Sequence, residues 1–179
     1  MDLKEFVINN KTWILGIAGL LIICYFLFGK TNGLTREQFE DKLKEMSNGK
    51  IAIVDSEVSE ITKDKSLYNA SWNGMGISAG IDKDNNITMP FLIGIKPGGQ
   101  INEITIGQYQ ELIQHISRIV DPKLSEEDAQ HLITNELNFN NYIMNREKHS
   151  TIKHDIRYEL SPGGDSAPWF TLMITPSKQ

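Results

Sequence analysis

The sequence predicts an α+β protein: a single N-terminal transmembrane helix followed by a mostly antiparallel β-sheet packed with a helical hairpin. Three observations predict it. The run Trp13–Phe28 contains no charge and no proline, and with its flanking Thr12 and Gly29 it reaches about 27 Å as a helix, close to the thickness of a hydrocarbon core. Two neighbouring segments carry apolar residues at helical spacing and are joined by a short connection, which favours antiparallel helices. Around them lie short β-branched and aromatic stretches punctuated by Gly, Pro, Asn and Asp, as hairpin strands are.

The predicted organisation is a short tail (1–11), the anchor (12–29), a joint (30–33) and a single α+β domain (34–179). Trp13, Leu20 and Phe28 mark the start, middle and end of the anchor. A cleaved secretory signal does not fit, because the run ends in Tyr25-Phe26-Leu27-Phe28 rather than in small residues. Lipoprotein processing does not fit either, since Cys24 follows Ile22-Ile23 and precedes further apolar residues. A buried core helix would show a polar face, and this run is apolar all round. A plain count of flanking charges, Lys4 and Lys11 against Lys30, Arg36, Lys42 and Lys44, would hold the following domain in the cytoplasm. Lys42 and Lys44, however, belong to an acid-rich predicted helix, and large domains cross largely regardless of charge, so the expected location is extracytoplasmic.

From Thr31 onward the chain holds 15 Lys+Arg against 21 Asp+Glu, a balance of −6 within the −5 of the whole. Nucleic acid and anionic lipid surfaces reward clustered positive charge, so both are disfavoured as partners. The one cysteine, Cys24, lies in the anchor, which leaves the domain without a disulfide or a thiolate metal site.

In chain order, Thr35 and Gln38 have capping-box spacing, and Phe39, Leu43 and Met46 make an apolar stripe that stops at Asn48-Gly49. Ile51–Val54 is a brief strand, which the stretch from Glu57 to Thr62 extends or pairs. Leu67–Ile81 reads as strand material loosened by Gly74, Gly76 and Gly80, and Ile87–Ile95 returns after a polar turn at 82–86. Thr105 and Gln108 repeat the capping-box spacing, with Ile104 and Tyr109 as a candidate staple. Behind them Ile106, Tyr109, Ile113, Ile116 and Val120 share one helix face. Asp121-Pro122 closes this helix, and Ser125 caps the next, whose Leu132, Ile133 and Leu137 point inward. Asn138 to His149 reads as a surface loop. Ile152–Leu160 alternates with period two as one strand, with Ile152, His154, Ile156, Tyr158 and Leu160 on one face, and Trp169–Thr175 returns after a Gly- and Pro-rich turn. No internal repeat occurs, which excludes solenoids.

Searches for chemistry find no motif. The oxygens of Asp82-Lys-Asp-Asn-Asn86 alternate as in calcium loops, but Ile87 and Ile93 stand where the turn glycine and closing acid belong. His115, His131, His149 and His154 lack a paired metal-ligand spacing. Gly163-Gly-Asp-Ser166 is turn composition rather than a nucleophile elbow, and no glycine loop leads into a helix to cradle phosphate. No catalytic residue, cofactor or metal is therefore expected. Tyr68, Trp72 and Met75, set among glycines, are the candidate protein-binding surface. The expected function is a single-pass, membrane-anchored accessory or binding protein, not an enzyme. Its partners would be the bilayer and another membrane or envelope protein. The alternatives are a membrane-associated inhibitor or immunity/exclusion-type protein, and a membrane-tethered enzyme whose carboxylates or histidines meet only in the fold.

Overall fold

The structure is a computed structural model and describes residues 31–95, 102–162 and 170–177. The anchor, with Trp13, Leu20 and Phe28, lies outside the described residues, among which no helix is long and apolar enough to cross a membrane. The described chain is α+β, built on an antiparallel sheet. Its elements are β1 (Thr31–Thr35), α1 (Arg36–Met46), β2 (Asp55–Thr62), β3 (Lys65–Trp72), β4 (Met75–Asp82), β5 (Asn86–Ile95) and α2 (Glu103–Val120). There follow α3 (Glu126–His131), which runs on into a π turn at Leu132–Glu136, then α4 (Phe139–Asn145), β6 (His149–Lys153), β7 (Ile156–Pro162) and β8 (Phe170–Pro176).

Strand order is β2-β3-β4-β5-β8-β7-β6, with β1 also on β5, and every pairing is antiparallel. The sheet is continuous because β5 shares one edge between two partners. Its residues 86–88 meet β1, and Phe91–Gly94 meet β8. Between these lie Met89 and Pro90, which also interrupt the register with β4 between Ala79 and Gly80. A proline has no N–H for a ladder, so the break falls where the sequence cannot donate.

Cross-strand register explains the core. Tyr68, Ala79, Phe91, Ile174 and Tyr158 form one row across the sheet, and Ala70, Ile77, Ile93, Leu172 and Leu160 form the next. Both rows are buried in one apolar cluster with the inward faces of the helices. The row between them points the other way by the period of two, and it is largely polar: Asn69, Ser78, Leu92, Met173 and Glu159. Two aromatic chains tie helices to sheet. Phe39 of α1 meets Tyr68 edge-on at 5.9 Å and Phe91 at 5.7 Å, while Tyr109, Phe139, Tyr142 and Phe170 follow one another at 5.3–6.4 Å.

Several expectations change. The joint is not merely a link, since Thr31–Thr35 pairs with β5. Ile51–Val54 is not a strand: Ile51 is buried in the core, Val54 is 91 % exposed, and the strand begins at Asp55. Leu67–Ile81 is a hairpin, not one loosened strand. Asn73 and Gly74 turn it with φ of 46° and 77° between the paired Trp72 and Met75, a geometry that Asn-Gly adopts readily. The α2 cap is Asn102 with Thr105, so the helix starts earlier than Thr105, and Ile104 is 71 % exposed and staples nothing. The expected loop at 138–149 contains α4, whose Phe139 and Tyr142 are buried. Ile152–Leu160 is likewise a hairpin, turned at His154-Asp155, so Ile152 does not share the buried face of Ile156. The capping box of α1 does form as read: the Thr35 hydroxyl accepts from the Gln38 N–H, and the Gln38 side chain accepts from the Thr35 N–H.

Tyr142 also locks the end of the β7–β8 ladder. Its hydroxyl donates to the Ser161 carbonyl at 2.8 Å and accepts from the Thr171 N–H at 2.7 Å. Tyr142→Phe keeps the ring and leaves both backbone groups without that partner, so we expect a loss of about 1–3 kcal/mol. Urea unfolding measures the loss, and faster amide exchange at Thr171 locates it. Unchanged exchange there would show that the hydroxyl is not what holds the ladder end.

Candidate functional site

The expected surface of Tyr68, Trp72 and Met75 is not a surface. All three side chains are buried in the core, and Tyr68 packs under Phe39 with its hydroxyl donating to Glu40 at 3.1 Å. The physical reason is register: Tyr68 and Trp72 fall on the row parity that faces the helices, together with Met75 opposite Trp72.

Titratable groups instead gather where the β6–β7 turn meets the α2–α3 corner. Asp121, just past the last turn of α2, is 3 % exposed at its side chain, and its Oδ2 lies 2.7 Å from Nδ1 of His154. The Tyr158 hydroxyl donates to the same oxygen at 3.5 Å, and the Lys123 N–H donates to Oδ1 at 3.2 Å. A carboxylate only accepts, so this hydrogen bond places a proton on Nδ1 of His154. Burial first, and then the nearby Asp121 carboxylate, push the Tyr158 hydroxyl well above its ordinary range.

A second group adjoins this one. Glu136, at the end of the π turn, accepts from Lys153 Nζ at 2.5 Å and from the Thr151 hydroxyl at 3.1 Å, with His131 Nδ1 at 3.4 Å. The Lys153 ammonium is the main cause that holds the Glu136 carboxyl below its usual range, and Glu136 in turn raises Lys153. A depressed carboxyl favours the fold above its ordinary pKa, and this contribution fades as pH falls through the lowered value.

Two local irregularities aim these side chains. The π turn closes with the Leu137 N–H on the Leu132 carbonyl and re-aims Glu136 toward β6. The β6–β7 turn uses His154 and Asp155 at φ of 49° and 66°, which both lie in the left-handed region that suits Asn-Gly far better. Two contacts accompany this geometry: His154 reaches Asp121, and the Asp155 carbonyl accepts from the Ser177 N–H at 2.8 Å.

Chemically, an imidazole oriented by a buried carboxylate supplies a base with its orienting partner. Around it the polar side chains pair with one another: Glu136 with Lys153 and His131, and Asp121 with His154. The arrangement therefore clamps the hairpin to the helices. Of the other histidines, His149 lies against Asn141 and Glu147, and His115 is half-buried on α2, where its Nδ1 has no hydrogen-bond partner among the described residues. Among the described residues no three His, Cys, Asp or Glu side chains group as a metal site.

Burial is the chief cause that holds His115 below the usual imidazole range, outweighing the Glu111 carboxylate. The unfolded chain then takes up the proton first, so stability falls as pH drops below about 6.5 and levels off beneath the depressed folded value. His115→Gln should flatten that part of the profile, as read from urea midpoints at pH 7.5 and 5.5. An equal drop in the variant would sink this assignment.

Sequence reasoning missed Asp121, which it read only as a helix closer, because its partner lies 33 residues away across a turn read as continuous strand. No protein-family model, curated protein or solved structure matches this chain.

Proposed function

We propose that this protein is a single-pass, membrane-anchored, non-catalytic binding protein whose α+β part faces the extracytoplasmic side and meets another membrane or envelope protein. One observation carries the reading: the uncharged run Trp13–Phe28 is long enough for a hydrocarbon core and lies directly ahead of the chain that folds into β1. Anchoring holds the domain near its partners and raises their effective concentration, so a weak contact suffices. The groups at His154 are used in fixing the β6–β7 hairpin to the helices, which is compatible with a binding role. The excess of acids after Thr31 suits a basic target and carries the inhibitor alternative in the same terms.

The test is alkaline extraction of membranes together with protease treatment of intact and lysed cells, on a chain bearing a C-terminal tag. The full chain should stay with the membrane, and the tag should be lost from intact cells. Leu20→Arg with Ile22→Arg should release much of the protein, since each arginine at a span's centre costs about 2.5–3.5 kcal/mol. Extraction of the unmodified chain would refute the anchor, and a tag cut only after lysis would refute the orientation. Site-directed photocrosslinking around the domain surface then asks whether it contacts a neighbour at all.

A further inference from the structure

We infer that the outer edge of β2 receives an extended, lysine- or arginine-bearing segment of another protein as a further antiparallel strand. This rests on the binding role proposed above and names the surface and the chemistry of the partner. β2 ends the sheet order, so one side of its backbone has no strand beside it among the described residues. Proteins ordinarily blunt such an edge with charged side chains, lysine above all, with a proline, a bulge or a short strand. From Asp55 to Glu60 the strand has no lysine, proline or bulge, and its guard is acidic alone: Asp55, Glu57 and Glu60. It pairs residue for residue with Ser71 to Ser66, and its register shifts only beyond Glu60. The opposite end of the sheet differs: β6 is shorter, and its Lys153 and His149 are engaged with Glu136 and Asn141.

Charge identifies the occupant. Asp55, Glu57 and Glu60 are exposed and make no ion pair or hydrogen bond through their side chains among the described residues. Register puts them on both faces of the edge. Asp55 and Glu57 lie opposite Ser71 and Asn69 on the face away from the helices, while Glu60 lies opposite Ser66 and Val58 opposite Tyr68 on the helix face. Glu40 of α1, which accepts from the Tyr68 hydroxyl, adds a carboxylate above that second face. Val58 is 42 % exposed and offers an apolar grip between the acids. A second copy of β2 would set like charges opposite one another, which is unfavourable, so the edge is guarded against self-pairing and open to a basic strand. An antiparallel arrival fixes the pattern: a basic residue opposite Glu60, an apolar one two positions later opposite Val58, the next basic opposite Glu57, and a last basic two further on opposite Asp55.

The probe is an end-blocked peptide containing Lys-Thr-Val-Lys-Thr-Arg, added at about 1 mM to the full chain in zwitterionic nanodiscs, with amide hydrogen exchange as readout. Exchange should slow in residues 55–62, and protection should weaken as salt rises. The triple variant Asp55→Lys, Glu57→Lys, Glu60→Lys should lose about tenfold or more in affinity and gain binding of the charge-swapped peptide. A peptide N-methylated at alternate residues keeps its charge and loses its donors, so it should give no protection. Protection by the N-methylated peptide, protection elsewhere only, or no protection overturns the inference. If crosslinking still captures a neighbour at another surface, the binding role stands without it. If crosslinking captures nothing, the binding role itself falls.

Discussion

Phe39→Ala is expected to cost the fold about 3–5 kcal/mol, the range for removing a buried phenylalanine ring. Phe39 is fully buried, edge-on to Tyr68 and tilted against Phe91, so its loss opens a void between α1 and two strands. The helix has little else to hold it: of its eleven residues only Phe39 and Leu43 are buried. A helix this short is marginal by itself, and its capping box adds only about 1 kcal/mol, so packing decides whether it stays docked. Phe39→Leu keeps much of the volume and should cost well under half as much. Urea unfolding in mild detergent gives the magnitudes, and hydrogen exchange over 36–46 should report α1 opening before the sheet. Because Glu40 is held over Tyr68 beside Val58, the alanine variant should also disturb the helix-side face of the β2 edge. A cost below about 1 kcal/mol for alanine would mean that α1 is not anchored by this ring.

The sequence made some of this legible, and the division follows the range of the interactions. The α1 capping box and the α2 apolar face are set by residues three to four apart, and both can be read directly. The Asn73-Gly74 turn is also local, because a single Asn-Gly between alternating apolar residues suffices for a hairpin, while the further glycines at 76 and 80 mimic an irregular strand. The His154-Asp155 turn was not legible by propensity. His and Asp enter the left-handed region more readily than most residues, but two in succession lack the Asn-Gly signal, and the contacts that accompany the turn, Asp121 to His154 and the Ser177 N–H to the Asp155 carbonyl, are non-local. Helix α4 was hidden for the opposite reason. Its asparagines read as loop, while Phe139 and Tyr142 earn burial only through Tyr109, Phe170 and the two backbone groups that the Tyr142 hydroxyl serves. The assignment of Tyr68 and Trp72 to a surface failed on sheet parity, which one sequence does not reveal until the partner strands and the covering helices are placed.

The His154–Asp121 pair sets the second large effect. Asp121 is buried with its carboxylate held by His154, Tyr158 and the Lys123 N–H, so His154→Ala removes the strongest of its charge-assisted partners and leaves the charge enclosed. We expect a loss of about 2–4 kcal/mol, nearer the lower figure because His154 itself is about one-third exposed and water can enter where the ring stood. His154→Gly is the informative companion. Glycine loses the same hydrogen bond but relieves the left-handed backbone at φ 49°, so it should be less damaging than alanine by roughly 1 kcal/mol. Asp121→Asn tests the other partner: it removes the charge, keeps the shape and leaves Tyr158 a neutral acceptor. Combining it with His154→Ala should cost less than the sum of the two, with a coupling of about 1–3 kcal/mol. Additive losses would separate the two residues energetically. A strong coupling would mean that the hairpin bearing Thr151 and Lys153 is fixed to the helices through one buried carboxylate. The π turn that aims Glu136 at those two residues then completes the same clamp from the other side.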